Sequence, residues 1–315
     1  MDERKRNPYL ALIHDFEHGV LEQYDFIDQI NKYNKALSYI AERIPNTNLS
    51  KIEITDNRLV FTTRMEDIKL YFSGRDRRGV PFDILNFGNY ENEDTFFLFK
   101  LINNGNLILD IGANIGWYSI LLSKHFPLSK IHAFEPVPET YNYLIENLKL
   151  NEVSNVEPNN LGISDHKAKR EIYYCPEGAV IASEKNLVDS QLAKLVECNF
   201  TTIDEYVDKN NITSCEAIKC DIEGAELFAV KGAKNTIQKY QPLIFIELFP
   251  LWTKQFNYHP DEVISFLHNL GYKCFFANDK KLFQVNSIDN IPQNKEILNF
   301  FFLHPEKHQS YIDQY

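Results

Sequence analysis

The sequence predicts an α/β fold built on a doubly wound, mainly parallel sheet. Two observations carry this expectation. From about residue 95, short apolar runs alternate with amphipathic stretches of helical period, the pattern of strand–helix–strand units. Within that region Leu107-Ile108-Leu109-Asp110-Ile111-Gly112-Ala113-Asn114-Ile115-Gly116 reads as an apolar strand ending in an acid, a glycine turn and a helix start. Sheets of this kind bind ligands at the carboxyl ends of their strands. The chain has 315 residues and is 44% hydrophobic, enough for a large domain with an appendage.

The elements follow in order. Between residues 9 and 44, apolar residues such as Leu12, Phe16, Tyr24, Ile27, Ile30, Tyr33, Leu37 and Ile40 recur mostly three and four apart, which predicts two helices with a break near Gly19. Pro45 and the polar residues after it end them. Ile52 to Phe72 is β-branched and reads as a small β meander. The loop Ser73-Gly74-Arg75-Asp76-Arg77-Arg78-Gly79 carries three arginines, either as a solvated loop or as a clamp for an anionic substrate. Strands are expected at 107–110, 130–135, 155–160, 216–221, 242–247, 272–277 and 298–303, with helices such as 138–149, 224–238 and 260–269 between them. Pro158 cannot donate to a ladder, so the third strand belongs at a sheet edge. The last strand follows its predecessor without a clear helix, and antiparallel pairing is expected there.

The net charge of −11 argues against a broad nucleic-acid footprint. The five cysteines are odd in number and form no Cys-x-x-Cys pair, which fits neither a disulfide framework nor a zinc site. Reduced, buried thiols and a cytoplasmic location are expected. The N-terminus leads into no long apolar run, so neither a signal peptide nor a membrane span is expected.

The chemistry gathers at strand ends. Gly112 allows a tight turn and close approach to the backbone, and the helix starting near Gly116 points its amides at the same place. Asp110 would repel a pyrophosphate and suit a cationic ligand. Glu135 ends the second strand, where an acid accepts hydrogen bonds from ribose hydroxyls, and Pro136 suits the helix start that follows. The glycine spacing is not that of a dinucleotide site, and no Gly-Lys-Ser/Thr loop is present. A ligand with a ribose, no phosphate and a positive centre fits, and S-adenosylmethionine is such a ligand. Downstream, Asp221, Glu223 and Glu226 follow the strand at 216–221, and Glu247 ends the next. A parallel sheet gathers these carboxylates at one edge, where they are a candidate functional site.

Three motifs together resemble the FkbM family of S-adenosylmethionine-dependent methyltransferases: Asp110-Ile-Gly-Ala-Asn-Ile-Gly, Phe134-Glu135-Pro136 and Ile218-Lys219-Cys-Asp221-Ile-Glu223-Gly224-Ala-Glu226. Gly88-Asn89-Tyr90-Glu91 is similar to a segment often found before that family's cofactor strand. The resemblance covers roughly residues 85–305. It implies the class I methyltransferase (Rossmann-like) fold, a seven-stranded sheet with an antiparallel final strand. Residues 1–84 then form an N-terminal helical and small β extension, and 85–315 the methyltransferase domain. It implies that Asp110, Gly112 and Asn114 line the methionine end of the cofactor, with Glu91 and Gly116 nearby, and that Glu135 holds the ribose. The segment from Asn160 through Gly162 and Ser164 to Asp165 would approach adenine, and Asp221 would sit beside the transferring methyl group.

The implied reaction is O-methylation of a carbohydrate or other small hydroxylated acceptor. An alcohol needs a general base within hydrogen-bond reach, and Asp221 and Glu223 are the first candidates. Glu247 is a further candidate, and His259 is the best-placed histidine. Mg²⁺ on Asp221 and Glu247 is the weaker alternative; no compact metal motif exists, and no metal is expected. The competing readings are a non-catalytic methyltransferase-like module whose segment 9–44 binds a partner, and a methyltransferase for protein, lipid or RNA. Acceptor identity and oligomeric state are left open.

Overall fold

A computed structural model describes residues 7–55, 58–72, 79–175, 182–186, 193–291 and 298–314. The arginine loop at 73–78 lies outside the described residues. Helices α1 (Pro8–Glu17) and α2 (Gln23–Arg43) open the chain as a hairpin. Asn7 caps α1, its side-chain oxygen accepting from the amides of Tyr9 and Leu10, and Gly19 takes the positive φ of the turn, 71°. Strands β1 (Leu49–Thr55), β2 (Arg58–Thr63) and β3 (Lys69–Phe72) form the expected antiparallel meander. Helices α3 (Val80–Phe87) and α4 (Asn92–Leu101) lead into the main sheet.

The alternating region then runs β4 (Leu107–Ile111), α5 (Trp117–His125), β5 (Lys130–Phe134), α6 (Pro138–Leu150) and β6 (Val156–Asn159). An insertion follows: β7 (Gly162–Ile163), β8 (Ala168–Tyr174), β9 (Ala182–Ser183) and β10 (Lys194–Thr201). The main sheet resumes with α7 (Ile203–Lys209), β11 (Ala217–Cys220), α8 (Glu226–Gly232), α9 (Lys234–Tyr240) and β12 (Leu243–Glu247). It closes with α10 (Pro250–Thr253), α11 (Asp261–His268), β13 (Lys273–Asn278), β14 (Lys281–Val285), β15 (Asn299–Leu303) and α12 (Pro305–Ile312).

The main sheet has the order β14-β13-β15-β12-β11-β4-β5-β6. Strands β12, β11, β4, β5 and β6 are mutually parallel, and β15 runs antiparallel to both β12 and β13. Seven strands thus form the expected sheet with its antiparallel final strand. The eighth, β14, is an addition to it, paired to β13 as a hairpin. Strand β6 is the edge strand that Pro158 requires, with Pro158 opposite Ala133. Order reverses between β4 and β11, the switch point where the carboxyl ends of the strands leave a crevice.

Two departures matter for the site. Residues 162–201 form a second sheet, β7-β10-β8-β9, where no strand was expected. Its strands bury one face only: Ile172 and Tyr174 on β8, and Cys198 and Phe200 on β10, are buried, with more exposed residues at the alternate positions. The helix expected over 224–238 is broken into α8 and α9, because Gly232 abuts the insertion. A Cβ there would lie 2.0 Å from the Ser164 carbonyl oxygen.

Alternate residues of the central strands feed two cores. Ile108, Ile131, Phe245 and Phe301 pack on the side of α5, α6 and the meander, together with Leu49, Phe61, Ile68 and Leu70. Leu109, Ile218, Ile244 and Phe302 face the side of α7, α8 and α11. The meander is also hung on α6 by two asparagines one turn apart. The fully buried Asn147 accepts from the Tyr71 amide at 2.8 Å and donates to the Ile115 carbonyl at 2.8 Å. Asn151 accepts from the Lys69 amide at 2.9 Å and donates to the Lys69 carbonyl at 2.6 Å. Asn147→Ala leaves a half-buried amide and a half-buried carbonyl without their partner, so urea unfolding is expected to register a loss of about 1–2 kcal/mol. A change within error would remove Asn147 as a structural link.

Candidate functional site

A cleft of about 1140 Å³, its open mouth included, lies over the carboxyl ends of β4, β5 and β11. The turn after β4 forms its floor, and Gly112 decides how that turn is built. Its φ is 77°, and a Cβ would stand 1.8 Å from the Asp221 carbonyl oxygen. The glycine therefore lets the turns after β4 and β11 touch backbone to backbone. The amides of Gly112 and Ala113 both donate to the Phe134 carbonyl, at 3.0 and 2.9 Å, which fixes the turn to the end of β5.

Glu135 continues that join. One carboxylate oxygen accepts from the Asn114 amide at 3.1 Å and the other from the Val137 amide at 2.9 Å. The side chain lines the cleft although the residue is only 5% exposed. Burial raises its pKa to about 7, against the opposing pull of the two amides. Pro136 and Gly162 line the same end of the cleft. Gly162 is required by space, since a Cβ would sit 2.3–2.6 Å from the Phe200 ring. Phe200 and Ile172 come from the inserted sheet and, with Leu161 and Ile163, make this end of the cleft apolar.

Asp110 lies below the cleft. It is fully buried, accepts from the Ser119 hydroxyl at 2.5 Å, and lies 3.5 Å from the ammonium of Lys219. Its cation is internal, and its carboxylate lies beneath the cleft and off its wall. Lys219 itself was missed by sequence reasoning. Its ammonium also lies 3.5 Å from Asp221, donates to the Gly112 carbonyl at 2.9 Å, and stands 5.3 Å from the centre of the Tyr118 ring. Burial works against its charge, but Asp221 and Asp110 outweigh burial and hold its pKa above the usual lysine range.

The acids of the downstream motif do converge on this edge. Asp221 and Glu223 line the cleft. Glu247 ends the neighbouring strand β12; burial first, then Asp221 and Glu223, push its pKa well above the usual carboxylate range. Glu226 is a structural acid, because it accepts from the Ile222 and Gly224 amides at 3.1 and 3.0 Å and lies 3.2 Å from the Tyr258 hydroxyl. Glu91 accepts from Tyr118, and burial raises its pKa. Tyr90 lines the cleft with Trp117, its ring edge-on to the indole at 5.9 Å. Glu91, Asn114 and Glu223 all hold left-handed φ values, 46°, 49° and 56°. Such conformations cost energy outside glycine and concentrate at functional sites.

Three expected site residues lie elsewhere. Gly116 starts α5 with a φ of 99° and is packed under Leu144, off the cleft wall. Ser164 is buried behind the inserted sheet, with Gly232 against its carbonyl. His259 is on the surface, 3.5 Å from Asp261 and 3.9 Å from Asp289. The side chain before it explains why: Tyr258 turns inward to donate to the Gly224 carbonyl at 2.9 Å, so His259 turns outward. Among the described residues, His259, Asp261 and Asp289 are the one cluster with metal-ligand spacing, and that cluster is remote from the cleft. No helix among the described residues is long and apolar enough to cross a membrane.

Comparison with known proteins agrees with this geometry. A sequence profile of the methyltransferase FkbM domain matches residues 110–274, from the acid of β4 into β13. The chain is 27% identical over 144 residues to Methyltransferase 1 of Beauveria bassiana, covering 40% of this chain and 58% of that protein. It is 29% identical over 153 residues to methyltransferase sdnD of Sordaria araneosa, covering 40% and 59%. Over 133 residues it is 27% identical to the hexuronic acid methyltransferase AglP of Haloferax volcanii, covering 42% and 52%. The match thus spans less than two thirds of the length of each relative.

Lys219 carries a testable energetic role. Lys219→Met leaves Asp110 as an uncompensated buried charge, and a loss of about 3–5 kcal/mol is expected in chemical denaturation. Asp110→Asn in the same chain is expected to recover part of that loss. Additive effects of the two changes would show that the pair is not coupled.

Proposed function

The chain belongs to the FkbM methyltransferase family, and from that premise we propose that it is an S-adenosylmethionine-dependent O-methyltransferase acting on a hydroxyl of a carbohydrate or other small hydroxylated acceptor. In this reading residues 85–315 are the methyltransferase domain and 1–84 an extension. One observation carries the reading. Glu135, pinned by two turn amides, stands at the end of β5, and Asp221 stands at the end of β11, with the Gly112 turn between them.

The residues fit the cofactor's chemistry. Asp83, Glu135, Glu184, Asp221 and Glu223 line the cleft, and the one cation among its described residues, Lys219, is matched internally by Asp110. Such a wall opposes phosphates and accepts a positive nucleoside. Glu135 would accept from the ribose hydroxyls. Phe200, Ile172 and Leu161 would take the adenine face. Bound S-adenosylmethionine supplies an electrophilic methyl group on a sulfonium.

The chain's own residues supply orientation and a proton acceptor. Asp221 is 35% exposed at its side chain and is oriented by the Lys219 ammonium, so it is the first candidate for taking the acceptor hydroxyl's proton. Glu223 is next to it on the cleft wall. Glu247 is a weaker candidate for the base, because burial first, then Asp221 and Glu223, push its pKa well above the usual carboxylate range. His259 is removed by its place on the surface. A carbohydrate acceptor draws support from the name of the AglP relative.

Two outcomes test this reading. Titration calorimetry should detect S-adenosylmethionine binding that weakens about tenfold for each pH unit below about 7, since protons then compete for Glu135. The sign follows from the raised pKa: the accepting form is present above about 7 and lost below it. Glu135→Gln should flatten that dependence, and pH-independent binding by the unaltered chain would count against the ribose role. Transfer of labelled methyl into a fractionated glycan and small-molecule extract should fall about 10²–10⁴-fold in Asp221→Asn. Cofactor affinity should move far less. Unchanged transfer in Asp221→Asn would send the search for the base to Glu223.

A further inference from the structure

Helix α2 leaves one face uncovered. Every residue from 31 to 39 is exposed, and Ile30 is the one buried side chain in the 21-residue helix. Helix α1 covers the opposite side, with Tyr9 edge-on to Tyr33 at 5.6 Å and Phe16 stacked on Phe26 at 4.5 Å. Arg43 anchors the far end to the body, donating to the Leu85 and Asn86 carbonyls at 3.0 Å each.

At 3.6 residues per turn, Tyr24, Asp28, Asn31, Lys32, Lys35 and Tyr39 form one stripe on the uncovered face. Tyr24 and Tyr39, at its two ends, are 86% and 63% exposed. The stripe is self-complementary when reversed. About a centre between Asn31 and Lys32, Tyr24 mirrors Tyr39 and Asp28 mirrors Lys35. Ile27, 47% exposed, flanks the stripe on one side.

We propose that α2 pairs antiparallel with α2 of a second copy of this chain, about a two-fold axis near Asn31 and Lys32. An isologous contact of this kind places each residue opposite its mirror, so Asp28 meets the partner's Lys35 and Tyr24 packs on the partner's Tyr39. Tyr24, Tyr39 and Ile27 together expose about 450 Å² per copy, hence about 900 Å² for the pair, the size of a weak, reversible interface. A membrane surface fits less well. In the hairpin Asp15, Glu17, Glu22, Asp25, Asp28 and Glu42 outnumber Lys32, Lys35 and Arg43, whereas helices lying on anionic lipid are rich in basic residues.

Sedimentation velocity of the full chain from about 1 to 100 µM covers the affinity expected of an interface this small. The mass should rise from 36.9 kDa toward twice that value. Asp28→Lys and Lys35→Asp should each weaken association at least about tenfold, and the double change should restore it. Residues 28 and 35 lie about 10 Å apart along one helix, so rescue reports a contact between chains. Circular dichroism of each variant establishes that the helices are intact. A wild-type chain that stays monomeric, or a dimer indifferent to both single reversals, overturns the proposal. A monomer that co-sediments with phosphatidylserine vesicles assigns this face to a membrane and overturns it as well.

Discussion

One buried ammonium organises the centre of this protein. Lys219 lies on a central strand, 3.5 Å from the carboxylates of both Asp110 and Asp221. A lysine there is costly to desolvate, and so is either acid. Together they offset one another, and the Gly112 carbonyl accepts a hydrogen bond from the ammonium. The turn after β4 and the turn after β11 are thereby fixed by a charge as well as by backbone contact. Glu135 inherits its position from the same turn, through the Asn114 amide. Removing the ammonium would therefore disturb both ends of the cleft at once.

The remaining acids are arranged by how much charge that one cation can balance. Asp221 shares it directly. Glu226 is taken out of the competition by two amides and the Tyr258 hydroxyl. Glu247 is buried beside Asp221 and Glu223, and burial first, then their charges, raise its pKa. The same edge of the sheet thus holds carboxyl groups in different surroundings, the kind of arrangement that sets acids of one site to separate roles.

Much of this could be read from the sequence, for identifiable reasons. Fully buried parallel strands appear as apolar runs, and an acid ending such a run is conspicuous, which exposed Asp110, Glu135 and Asp221. Pro158 placed its strand at the edge because a missing amide has no other tolerable place. Lys219 was overlooked because its meaning depends on register: it lies directly beside Asp110 across two strands far apart in the chain. His259 misled because closeness in sequence to a strand end says nothing of direction, and Tyr258 claims the inward position. The inserted sheet buries a single face against a small core, so its strands mix polar and apolar residues and carry no long apolar run.

The two asparagines that join the meander to α6 have a consequence beyond stability. Strand β3 ends its sheet, and its outward amides at Lys69 and Tyr71 are the groups that an incoming strand would use. Asn151 and Asn147 occupy them. An open edge of this kind is a template for aggregation and strand exchange between chains. Here a helix supplies side-chain amides in place of a fourth strand, and the sheet is finished without one. Crowded newly made chains therefore meet a closed border at β3, and growth of this sheet by end-to-end addition stops there.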